Sequence, residues 1–129
     1  SKTFNNPFKH FYFRYIKKQN PYSLVAVEDL LSKFKKNIRI IQGDTNQILH
    51  EVSLKNIDFI FIDGGHDYKT VKNDLEQSYK MINKNGTILC DDWNLSQALG
   101  VREAIKDFSK EQKVNFEVVH ERFAQFNLY

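Results

Sequence analysis

Asp58-Phe59-Ile60-Phe61-Ile62-Asp63-Gly64-Gly65-His66 (residues 58–66) is the stretch on which the fold turns. Residues 59–62 form an unbroken apolar run, as expected of a strand covered on both faces, and the run stops at an acid followed by two glycines. Paired glycines let the backbone turn sharply or come close to a ligand, which marks a site more than a plain turn. Downstream, residues 68–82 carry Val71, Leu75, Tyr79 and Ile82 at helical spacing and run into Asn85-Gly86, a helix C-cap signal. Thr87-Ile88-Leu89-Cys90 is the next buried strand and closes on Asp91-Asp92-Trp93. A helix over residues 100–112 and two strands over 116–120 and 122–129, forming a hairpin, complete the chain.

Upstream, Ile38-Arg39-Ile40-Ile41 reads as a β-branched strand closing on Gly43-Asp44, with a short helix over 45–50. Residues 23–36 read as a helix, with Leu24, Val27, Leu31 and Phe34 on one side; a short strand over 24–27, ending in Glu28, is the alternative. Residues 8–19 read as a further helix, and Pro7 and Pro21 fall where prolines open helices. Strand and helix alternating at this spacing predict an α/β domain: a doubly wound, mainly parallel sheet, helices on both faces, and a carboxyl-terminal antiparallel hairpin. The expected organisation is one domain over 1–129, with a helical segment at 1–36 and the sheet with its catalytic rim at 37–129.

Bulk properties narrow the class. The 129 residues suit a single domain, the 41% apolar and 27% charged fractions are those of a globular protein, and no apolar run approaches the roughly 18 residues of a membrane span. One cysteine, Cys90, forms no internal disulfide and ends an apolar run, which predicts a buried, inert thiol and a reducing, cytoplasmic setting. The net charge of +3 hides an asymmetry, since the first forty residues hold nine Lys and Arg against Glu28 and Asp29. The aromatic, basic run Phe8-Lys9-His10-Phe11-Tyr12-Phe13-Arg14-Tyr15 reads as an amphipathic helix facing a core or a second subunit, in preference to a nucleic-acid grip.

In a parallel sheet ligands sit outside the carboxyl ends of the strands, where Asp44, Asp63, His66, Asp91 and Asp92 all fall. Three carboxylates, Asp63, Asp91 and Asp92, converge with His66 on one rim if their two strands are neighbours. Such an oxygen-rich set suits magnesium or manganese, with His66 free to serve as a base or as an additional ligand. Carboxylates held this close repel one another unless something positive sits among them. Asp44 either bonds a ligand's amino group or caps the short helix; Glu28 either holds a ribose hydroxyl, if a strand precedes it, or is a surface acid. Trp93 either walls a substrate pocket or fills the core beneath it. His10, His50 and His120 have no partners recognisable from spacing.

At these residues the chain resembles the class I S-adenosylmethionine-dependent methyltransferases, in the branch whose strand reads Asp-Phe-Ile-Phe-Ile-Asp-Gly-Gly-His. Asp58 to His66 carries that motif, Tyr68, Val71 and Asp74-Leu75 continue it, and Asn85-Gly86-Thr87-Ile88-Leu89-Cys90-Asp91-Asp92-Trp93 and Gly100-Val101-Arg102-Glu103-Ala104-Ile105 follow in order. The resemblance implies a Rossmann-like seven-stranded sheet and transfer of a methyl group from a sulfonium to an acceptor. It implies that Gly43-Asp44 lie near the adenine and that Asp63, Asp91 and Asp92 correspond to the metal-binding positions of metal-dependent O-methyltransferases. His66 would face the acceptor, expected to be a small-molecule or sugar hydroxyl. The family's glycine-rich G-x-G-x-G loop is absent: the five glycines stand at 43, 64, 65, 86 and 100. The expectation is therefore an amino-terminally truncated, carboxyl-terminal portion of such an enzyme, with self-association through the aromatic segment. Two rival readings are a metal-dependent phosphoester hydrolase on the same residues and a non-catalytic, dimerising remnant of the fold.

Overall fold

The computed structural model describes residues 23–128. The expected helix over 8–19, and the self-association assigned to it, lie outside the described residues. The chain divides into two compact units, Ser1–Gln42 and Gly43–Tyr129.

In the first unit, α1 (Leu24–Leu31) is capped by Ser23, whose hydroxyl accepts from the Ala26 amide at 3.2 Å, and it passes into a 3-10 turn at Ser32–Phe34. Glu28 therefore stands exposed within a helix and does not end a strand, which removes the basis for its expected ribose contact. The strand expected at residues 38–41 does not form. Ile38, Ile40 and Ile41 are 37–41% exposed in irregular backbone, with no ladder partner among the described residues. A β-branched run becomes a strand only where a neighbour accepts and donates its hydrogen bonds.

In the second unit, α2 (Thr45–Ile48) leads to β1 (Ile57–Ile62), α3 (Tyr68–Met81), β2 (Ile82–Cys90), α4 (Leu99–Gln112), β3 (Glu117–Val119) and β4 (Phe123–Asn127). The four strands lie in the order β1-β2-β4-β3, with β1 and β2 parallel and β2–β4 and β4–β3 antiparallel. The expected hairpin is thus present, and its turn places His120 and Glu121 at φ 51° and 57°.

Register sorts the two sheet faces. Ile60, Ile88 and Phe126 align across the strands, as do Ile62, Cys90 and Ala124, and these residues meet the helices. From α4 come Val101, Ala104, Ile105 and Phe108, at the i, i+3, i+4, i+7 spacing of one helical stripe; from α3 come Val71 and Leu75. Phe108 sits at the centre, edge-on to Phe126 (centroids 5.2 Å apart) and to Tyr79 (5.7 Å). The opposite face carries Phe59 and Phe61, 55% and 48% exposed, with Phe123 beside Phe61 at 6.3 Å.

Asn85-Gly86 does not cap a helix. Helix α3 ends at Met81, Ile82 is already extended (φ −71°, ψ 150°) and pairs with Ile57, and the register jumps to Phe59 opposite Thr87. Gly86 is buried inside that irregularity: a Cβ there would stand 2.6 Å from Ile82 Cγ1 and 3.0 Å from the Ile57 carbonyl oxygen. Pairing with β1 decides the end of the helix, which a local cap signal does not register.

Candidate active site

The loop after β1 and the loop after β2 meet because the two strands are parallel neighbours, and the Asp91 amide donates to the Ile62 carbonyl at 2.9 Å. Asp63, Asp91 and Asp92 each offer a carboxylate oxygen within 4.8 Å of the others, so the expected convergence takes place. His66 joins them: its Nε2 lies 2.8 Å from Asp92 Oδ2, with 35% of the imidazole and 13% of the carboxylate exposed. Asp92 reaches it from a left-handed backbone (φ 63°), a conformation that costs a non-glycine residue roughly 1–2 kcal/mol. The Asp92 amide is fixed in turn by a 2.6 Å bond to Asp91 Oδ1. A cleft of about 10 Å³ opens among residues 62–66, Val71, Cys90–Asp92 and Val101. A wider cleft of about 440 Å³ lies elsewhere, lined by Tyr79, residues 113–117, Gln125, Asn127 and Leu128. Because Asn127 pairs with Thr87, near the entry of β2 into its ladder with β4, that cleft is at the far end of the sheet from the carboxylates.

Arg122 is the residue of this rim that sequence reasoning missed. From the β3–β4 turn its Nε donates to Asp91 Oδ1 at 2.5 Å and its Nη2 donates to Asp91 Oδ2, a bidentate charged pair on a carboxylate only 2% exposed. The Asp91 hydrogen bond raises the Arg122 pKa above its ordinary value, so the guanidinium stays charged. The hairpin is tied to the rim independently of that side chain, since the Trp93 amide donates to the Arg122 carbonyl at 2.8 Å. Arg102 Nε holds the next carbonyl, that of Trp93, at 2.5 Å. Thirty-one positions separate Arg122 from Asp91, and no spacing rule links them. The only signal in the sequence was electrostatic: three adjacent acids need a positive group.

The oxygen set fits a hard divalent ion in donor type and in spacing, but Asp91 already has both oxygens engaged by Arg122.

The remaining expected residues fall as follows. Asp44 is the N-cap of α2, its Oδ1 accepting from the Asn46 amide at 3.0 Å and from Asn46 Nδ2 at 3.2 Å. Gly43 is pressed against Ile48, whose Cγ2 would lie 2.7 Å from an added Cβ. Asn46 Nδ2 also donates to Thr70 Oγ1 at 3.0 Å, linking this turn to α3. Trp93 packs against Phe116 (5.2 Å) and the core. His50 and His120 are exposed. Asp74, buried in α3, has its pKa raised by burial, and its Oδ2 would lie 3.3 Å from a Cβ on Gly64, directly behind the Asp63-Gly64-Gly65 turn.

Burial pushes the Cys90 thiol from 9.0 up to about 12, and nearby Asp91 acts in the same direction. Between those values the folded chain keeps a proton that the unfolded chain has lost, so stability falls as pH rises, by up to about 1.4 kcal/mol per pH unit. Urea unfolding from pH 8 to 10.5 is expected to show a steeper loss in the native protein than in Cys90→Ala. Equal slopes would remove the thiol as the cause.

A parallel β1–α3–β2 unit with acids at both strand ends, closed by an antiparallel hairpin, is the Rossmann-like fold of the class I methyltransferases, here as a partial domain. A methyltransferase-domain family model matches residues 6–93, and the chain belongs to that family. A relative, the uncharacterized protein R132 of Acanthamoeba polyphaga mimivirus, is 37% identical over 70 residues, 49% of this chain and 32% of its own length. Among solved structures, the O-methyltransferase NovP superposes with a TM-score of 0.71 at 13% identity, over 82% of this chain and 45% of its own. CalS11, a TDP-rhamnose 3'-O-methyltransferase of calicheamicin biosynthesis, superposes with a TM-score of 0.63 at 14% identity, over 80% of this chain and 50% of its own. At these identities the superpositions show the fold alone, and the chain spans half or less of the length of each of these proteins. Among the described residues no helix is long and apolar enough to cross a membrane.

Proposed function

We propose that this chain is the acceptor-side portion of an S-adenosylmethionine-dependent O-methyltransferase acting on a small-molecule or sugar hydroxyl. The observation that carries the reading is the His66–Asp92 pair, 2.8 Å apart, at the carboxyl ends of adjacent parallel strands. With Nε2 committed to Asp92, the imidazole presents Nδ1 as its proton acceptor. In the transfer the acceptor oxygen forms a bond to the methyl carbon, the sulfur–methyl bond breaks, and the hydroxyl proton passes to His66. The sulfonium is already activated, so the remaining work is alignment and proton removal. Asp63 lies beside His66 on the same turn, where a carboxylate attracts the sulfonium or its amino group. Asp44, as a cap, orients the turn that would face the adenine. A magnesium or manganese ion on Asp63, Asp91 and Asp92, when bound, supplies Lewis-acid polarisation of the acceptor oxygen. The two O-methyltransferases that share the fold, one of them acting on a nucleotide sugar, support a hydroxyl acceptor.

Calorimetric titration with S-adenosylmethionine, followed by measurement of S-adenosylhomocysteine release with a panel of nucleotide sugars, glycosides and phenols, tests the reading. Micromolar binding that fails in Asp63→Ala, together with turnover on at least one hydroxyl acceptor, is expected. Absence of S-adenosylmethionine binding would end it.

A further inference from the structure

We infer that Arg122 is the resident cation of this rim, and that a divalent ion must displace its guanidinium from Asp91 in order to bind there. The inference rests on the reading of this rim as the working end of a methyltransferase domain, and it concerns a residue that the reading does not otherwise use.

Three observations carry it. First, most of the lone pairs on Asp91 are in use: Oδ1 accepts from Arg122 Nε and from the Asp92 amide, and Oδ2 accepts from Arg122 Nη2. A carboxylate has about four lone-pair sites in all, and a planar bidentate donor takes the two best placed. Second, Asp91 is 2% exposed and the Arg122 side chain 42%, so on the hairpin side the guanidinium stands between the acid and water. An ion that reaches Asp91 comes within a few ångströms of the guanidinium, and like charges at that distance repel. Third, the guanidinium held by Asp91 also lies over an aromatic ring, its carbon 5.1 Å from the centre of Phe123, a second contact that favours a cation at this place. Three carboxylates close together need compensation, and Arg122 supplies one positive charge of it from the hairpin, on Asp91, without any ion.

The test is titration with manganese chloride, followed by the electron paramagnetic resonance signal of free manganese, on the native protein and on Arg122→Met and Arg122→Lys. Binding is expected to tighten at least tenfold in Arg122→Met, with Arg122→Lys between the two. The backbone tie from Trp93 to the Arg122 carbonyl does not depend on the guanidinium, so the hairpin is retained in both variants. A second measurement needs no variant. In the native protein the Arg122 Nε–H nuclear magnetic resonance signal should leave its hydrogen-bonded position as magnesium is added. The inference is overturned if Arg122→Met binds manganese no more tightly than the native protein, if the Nε–H signal is unmoved at magnesium saturation, or if no form of the protein binds either ion. None of these readouts involves S-adenosylmethionine, so their failure is distinct from failure of the methyltransferase reading.

Discussion

His66→Ala is expected to lower methyl transfer by about 10²- to 10⁴-fold, the range that a positioned general base contributes, with folding and S-adenosylmethionine affinity retained. The imidazole is 35% exposed and outside the core, so removing it opens no buried cavity. Asp92→Asn should cost less, since it keeps a hydrogen-bonding partner for Nε2 and removes only the negative charge beside it. The acceptor supplies an internal check: a phenol, whose proton leaves more easily than an aliphatic alcohol's, should lose less rate in His66→Ala. S-adenosylhomocysteine formation with acceptors of graded acidity measures this. An undiminished rate, or an equal loss for every acceptor, would take His66 out of proton transfer.

Gly100→Ala is expected to be strongly destabilising although it replaces glycine by the best helix former. Glycine in an open helix costs up to about 1 kcal/mol relative to alanine. Here the sign reverses, because an added Cβ would stand 2.5 Å from the Tyr68 amide nitrogen, 2.8 Å from the His66 carbonyl oxygen and 3.0 Å from the Asp67 carbonyl carbon. All three are backbone atoms, so no side-chain rotation relieves the contact, and the first turn of α4 must move from the start of α3. A loss of about 3 kcal/mol, at the upper end of ordinary overpacking, is the expected result in denaturant unfolding. Because the atoms displaced belong to the turn that carries His66, the variant should also lose transfer activity under conditions where it is fully folded. A stable Gly100→Ala with native activity would show that the two helices do not hold this contact in solution.

The residues that made the site legible were those whose meaning is local. An apolar run ending in Asp63-Gly64-Gly65, a second ending in Asp91-Asp92, and a helical stripe between them implied two parallel neighbours with their acids at one rim, and the register bears this out. The helix from Tyr68 and the carboxyl-terminal hairpin were legible for the same reason. Residues 38–41 were misread because strand propensity records only that a side chain suits a pleated surface, while a partner to pair with is a property of the whole fold. Asn85-Gly86 was misread because pairing of Ile82 with Ile57 overrode a cap signal. Glu28 was left between helix and strand because the four-residue apolar run before it, residues 24–27, fits both periods.

By itself, then, the sequence determined the alternation of elements from residue 45 onward, the family, and the set of acids and histidine at the strand ends, since periodicity and turn chemistry act over a few neighbouring residues. The partners within that set were decided only by the tertiary structure. It brought Arg122 from the hairpin onto Asp91, turned Asp92 to His66, and pressed Gly100 against the His66 turn. Each of these joins residues distant in the chain through directional contacts of a few ångströms, and such contacts exist only once strands and helices have packed.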